Sequence, residues 1–183
     1  MVQLTALFLF ASLLVLAMGT PMIKRDMATI QADISNISSL LVTWDNDVNA
    51  FAGTADGADA IHADSVALES AFQTAIADTQ ATSNFTTDMD ALLVLGQMEN
   101  SSTILVGGLT QIAEKGANFT SISNGTAAIV SDLSTLGAAA TGFIAAIGNI
   151  ITDTEVVAQA TQFETTWSAA FADAITDVQD PSL

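Results

Sequence analysis

Eight apolar residues constrain this chain more than any other feature. Met27, Ile30, Ile34, Ile37, Leu41, Trp44, Val48 and Phe51 follow one another at steps of three and four. That spacing puts all of them on one stripe of an α-helix about seven turns long. A half-buried strand would need alternation at every second position, which the stretch lacks. A stripe of this length calls for an apolar partner, either other helices in a core or a hydrophobic surface, and the spacing is the same for both.

The pattern recurs down the chain. "GTADGADA" (53–60) reads as a turn, with Asp56 placed to cap a second helix over about 57–81. The stripe of that helix is Ile61, Leu68, Phe72, Ile76 and Thr79. "TSNFTTDMD" (82–90) opens a third helix, with acids in its first turn. It carries Met89, Leu92, Leu93, Leu95, Leu105, Leu109 and Ile112, and "GQMENSST" (96–103) predicts a kink in it. "KGANFTSISNGT" (115–126) reads as a loop, and a fourth helix follows over about 126–151 with Ile129, Leu133, Leu136, Phe143, Ile147 and Ile151. Thr152 and Glu155 have the spacing of a capping box for a fifth helix. Its stripe is Val156, Ala160, Phe163, Trp167, Ala170, Phe171, Ala174 and Val178. The expected fold is all-α, a single antiparallel bundle of four to five long helices. With no cysteine in the chain, the core alone must hold it together.

The N-terminal region reads differently. Residues 2–17, "VQLTALFLFASLLVLA", are almost wholly apolar but too short for a good permanent span, which predicts a signal peptide over 1–19. A short pro-segment, 20–25, then ends in Lys24-Arg25, two of the three basic residues in the chain. Cleavage before Asp26 would leave one domain over 26–180 and move the formal charge from −17 to −19 by loss of those two residues. Such an acidic chain is a poor partner for nucleic acid or anionic lipid head groups. Asn36, Asn84, Asn100, Asn118 and Asn124 each begin a glycosylation sequon, as expected of a secreted glycoprotein. The closing "DVQDPSL" is polar, which predicts no C-terminal lipid anchor and an extracellular or loosely wall-associated protein.

No catalytic set is visible. His62 is the single histidine, on a helix among acids, with no Gly-x-Ser-x-Gly elbow in the chain. Asp45, Asp47 and Asn49 imitate the start of a calcium loop, but Ala50 stands where the turn glycine belongs and the helical stripe runs through the segment. No metal, cofactor or enzymatic activity is expected. From Leu133 to Ile151 there is no charge, yet no basic residue follows to stop transfer, so no transmembrane span is expected.

The segment "GAAATGFIAAIGNI" (137–150) strips one helix of bulk. Small residues permit close helix contact, or they leave an apolar tunnel for an acyl chain. On spacing alone, the candidate lining is Ile34, Leu41, Leu92, Leu133, Leu136, Phe143, Ile147, Phe163 and Trp167.

Taken together, "DMATIQADISNISSLLVTWDNDVNAF", "DALLVLGQMENSSTIL", the late "GFIAAIGNI" and the closing "FETTWSAAFADAI" resemble the hydrophobic surface binding protein A family, which includes fungal cell-wall galactomannoproteins. The resemblance spans about 23–178. It implies a protein that adsorbs to hydrophobic surfaces and can recruit secreted polyester-degrading hydrolases there. It also implies a five-helix bundle able to hold fatty acids in an internal cavity. A surface-adsorbed recruiter without an internal lipid site is the alternative.

Overall fold

The computed structural model describes residues 27–180 apart from Thr86. The expected signal peptide and the Lys24-Arg25 cut site lie outside the described residues. Five long helices and one short one make up the fold: α1 (Met27–Ala50), α2 (Ala55–Ala81), α3 (Asp88–Glu114), α4 (Gly116–Thr120), α5 (Gly125–Ile150) and α6 (Thr154–Gln179).

The α1 stripe is buried from Ile30 to Phe51, as its spacing requires. The chain then turns through Gly53, whose φ of +83° suits a residue without Cβ. Helix α2 starts two residues earlier than its periodicity suggested. Its cap is Thr54, whose hydroxyl accepts from the Gly57 amide, and not Asp56, which falls inside the first turn. Likewise α6 is capped by Asp153, whose carboxylate accepts from the amides of Glu155 and Val156, and the Thr152–Glu155 box is not used. One carboxylate there satisfies two amides at once.

Helix α3 runs unbroken through "GQMENSST". The reason is its true inward face, which is Ala91, Val94, Leu95, Met98, Ser101, Leu105, Gly108, Leu109 and Ile112. Met98 and Ser101 carry the stripe through the polar stretch, while Glu99 and Asn100 point to solvent. Met89, Leu92 and Leu93, assigned to the buried stripe on sequence, are exposed by 73%, 42% and 50%. The loop expected at 115–126 contains the single turn α4.

Each long helix packs against two others: α1 on α2 and α3, α2 on α1 and α5, α6 on α5 and α3. The bundle is therefore a closed ring, in the order α1, α2, α5, α6, α3. Successive long helices alternate in direction, but the ring order sets α3 parallel to both α1 and α6. Trp44 meets Gly108 and Trp167 meets Ser102 at matching heights. Two connections cross the ring ends. The connection after α2 passes beneath α5, where the Phe85 amide donates to Ile150 O at 2.9 Å. At the other end α4 touches α3, α5 and α6. Its Phe119 stacks on Phe51 at 4.4 Å between ring centroids. Phe85 at one end and Phe119 at the other are both buried.

A five-membered ring has a wide middle. Helix axes spaced by about 9 Å stand about 8 Å from the centre, against about 6 Å for four helices. Aromatic side chains fill the difference. Phe72 of α2 lies 6.0 Å from both Phe143 of α5 and Trp167 of α6, bridging the ring interior. Helix α5 is long and apolar enough to cross a membrane by composition. Here it is a wall of the ring, seated between α2 and α6.

Candidate functional site

The lower half of α3 is a ridge with a groove on each side. On the α6 side lies a cleft of about 550 Å³. Leu92, Leu95 and Phe163 are its apolar lining, and Glu99, Ser102, Gln159, Gln162 and Thr166 its polar lining. Trp167 lies buried just behind, its indole Nε1 donating to Ser102 Oγ at 2.9 Å. On the α1 side a second cleft of about 450 Å³ runs past Ile34, Ser38, Val42, Gln97 and Asn100. The ridge between them bears Met89, Leu92 and Leu93, and Val42 faces out nearby on α1 with 46% of its surface exposed. Volumes of this size are those of small-molecule sites.

The sequence-derived lining residues divide accordingly. Leu92 and Phe163 meet in the first cleft, with Trp167 behind it. Ile34 belongs to the second. Leu41, Leu136, Phe143 and Ile147 are buried in the ring core. Leu133 is also core, and edges a shallower 310 Å³ cleft between α5 and α6. Much of the volume missing from α5 is taken up by its neighbours. A Cβ on Gly137 would stand 3.0 Å from Phe171 Cγ, and one on Gly142 3.4 Å from Ile76 Cδ1. The small residues there serve close packing. Leu95 was visible as part of a stripe; Ser102, Gln159 and Gln162 carried no signal that set them apart from other polar helix residues.

A third cleft, of about 410 Å³, sits at the opposite end between α2, α4 and α5. His62 and Asp132 flank it, with His62 Nδ1 2.9 and 3.0 Å from the two carboxylate oxygens. Burial pushes the Asp132 carboxyl above its ordinary range, and the His62 contact partly offsets that push. Asp64 is raised too, by burial and by the neighbouring Asp47. No group of three metal-ligating side chains occurs among the described residues. Of the sequon asparagines, Asn36, Asn84, Asn100 and Asn124 are exposed, and Asn118 is half-buried against Gly53.

The profile of hydrophobic surface binding protein A matches residues 27–149. No curated protein sequence matches the chain. Among solved structures, AfMP4p in complex with palmitic acid is 27% identical, with a TM-score of 0.78 over 84% of this chain and 99% of that one. Ligand binding domain 1 of the Penicillium marneffei MP1 protein, complexed with arachidonic acids, is 14% identical with a TM-score of 0.77 over 84% and 99%. Domain 2 of that protein, with multiple arachidonic acids, is 18% identical with a TM-score of 0.76 over 86% and 99%. The last two likenesses speak for the fold alone.

Proposed function

Since the chain belongs to the hydrophobic surface binding protein A family, we propose that it is a secreted, non-enzymatic protein that takes up a long acyl chain between α3 and α6. The α3–α6 cleft carries this reading. Its apolar lining of Leu92, Leu95 and Phe163 is backed by Trp167, which bonds to the lining residue Ser102 and lies against Phe72 in the ring interior. A sixteen-carbon chain gains about 0.8 kcal/mol per buried methylene, roughly 10 kcal/mol in full burial. Several kcal/mol of that is lost to immobilisation, which leaves binding in the micromolar range. The palmitic acid bound by AfMP4p, at 27% identity, supports the same class of ligand.

A second activity fits a separate observation. The exposed ridge of Met89, Leu92 and Leu93 offers an apolar strip to a wax, a polyester or an air–water interface. The apolar run at 2–17 and the five sequons support secretion. Recruitment of a polyester-degrading hydrolase belongs to the adsorption reading, as co-adsorption on the same material.

The test is native mass spectrometry of the secreted, delipidated protein incubated with palmitic acid, hexadecanol or monopalmitin. The expected result is a one-to-one adduct lost on gentle activation and weakened by Phe163→Ala. A wild-type protein that takes up none of the three removes the acyl-binding reading and leaves adsorption.

A further inference from the structure

This inference rests on acyl binding in the α3–α6 cleft and concerns which acyl compounds enter it. The described residues include two side chains able to carry positive charge, Lys115 and His62. Lys115 Nζ donates to Asn49 O at 2.7 Å and to Phe51 O at 2.9 Å, closing the end of α1. It follows Ser102 by thirteen residues at the end of the same helix, a rise of about 20 Å. His62 sits in a different cleft on the α2–α5 side, facing the Asp132 carboxylate. Neither can pair with an anion beside Leu95 and Phe163.

The charge that does line the cleft is negative, on Glu99. The other polar groups are neutral. Gln159 and Gln162 lie three residues apart on α6, so their amides present donors and acceptors on one face. Ser102 Oγ accepts the Trp167 indole hydrogen, which leaves its own hydrogen for another acceptor. A carboxylate entering here would lose hydration beside a like charge and meet no cation among the described residues. A hydroxyl or an ester carbonyl loses less on entry and finds matching neutral partners.

We propose that the cleft selects long-chain amphiphiles with an uncharged, hydrogen-bonding head, namely long-chain alcohols and glycerol esters, over ionised fatty acids. The test compares hexadecanol, monopalmitin and palmitate at a pH where free palmitate is ionised, using Trp fluorescence and native mass spectrometry on the full secreted chain. The uncharged pair should bind about tenfold more tightly than palmitate. Glu99→Gln should narrow that ratio, and Glu99→Lys should bring palmitate level or ahead. Glu99 is exposed, so both variants should fold, which thermal unfolding checks. Palmitate binding the wild type as tightly as hexadecanol overturns the proposal. A ratio unmoved in both Glu99 variants overturns it as well, because the head group then lies elsewhere. Failure of all three ligands overturns instead the acyl-binding reading beneath it.

Discussion

The indole nitrogen of Trp167 donates to Ser102 Oγ at 2.9 Å, so a buried side chain of α6 is tied to α3 directly behind the cleft. Trp44 is held in the same way, by Ser65 of α2 at 3.1 Å. A buried indole N–H left without a partner costs about 1–3 kcal/mol. Ser102→Ala should therefore lower the thermal midpoint by roughly 3–10 °C. In a Trp167→Phe background the same change should cost under about 0.5 kcal/mol, since the coupling is gone. Equal losses in both backgrounds would show that the bond contributes nothing.

Neighbouring glycines of α3 should respond with opposite signs. A Cβ on Gly108 would run into Cζ3 of the fully buried Trp44, whereas one on Gly107 meets nothing within 4 Å. Gly108→Ala is expected to destabilise by about 1–3 kcal/mol through overpacking. Gly107→Ala is expected to stabilise by about 1 kcal/mol through helix propensity. Urea titration of the two variants measures both, and like signs would contradict the packing described here.

Acid should stabilise the protein at first. Asp64 and Asp132 have raised pKa values in the fold, so the folded form takes up protons that the unfolded form, with its ordinary value of 3.8, does not. Stability then rises as pH falls through the folded values and levels off near the unfolded one. Asp47 beside Asp64 and Glu69 near Asp132 push the same way, and His62 pushes against them. Relief of self-repulsion in a chain of net charge −17 adds to the gain. Chemical denaturation from about pH 7 to about pH 4.5 should show the rise, and Asp64→Asn with Asp132→Asn should flatten it. A stability that falls over that interval would refute the assignment.

Adsorption and acyl binding should separate by mutation. Met89 and Leu93 stand on the ridge and outside the cleft lining. Replacing both with Ser removes on the order of 1 kcal/mol of transfer free energy apiece, about fivefold in retention on octadecyl-coated beads for each. Acyl uptake should be unchanged. Phe163→Ala should do the reverse. Parallel loss of both activities in either variant would mean that one surface serves both.

The sequence revealed α1 almost completely because every inward residue there is large and apolar. It misphased α3 because two of the inward positions are Ser101 and Gly108, which hydropathy does not count, while Leu92 and Leu93 look like core. The leucines that broke the pattern are the ones at the candidate site, where local rules are expected to yield to function. Phe163 and Trp167 were legible as a helical stripe, but their proximity to Leu92 was not. That depends on the ring order, which the connections after α2 and after α3 fix by crossing the ends of the bundle, and neither loop's length dictates where the next helix lands. For the same reason nothing distinguished Gln159 and Gln162 from ordinary surface glutamines.

The ring order also sets a sequence of events. Helices α1 and α2 pair through a short turn, as do α5 and α6, so each hairpin can form from local contacts. Both neighbours of α3 are distant in sequence, and it reaches them only through the two crossing connections. Closing such contacts carries the larger loop entropy, so α3 docks last in folding and is the first to leave in native-state fluctuations. Amide exchange should accordingly be fastest along α3 among the long helices. Transient undocking of that one helix exposes the ring interior while the two hairpins stay intact, so the last seam closed in folding is also the door through which a guest would pass.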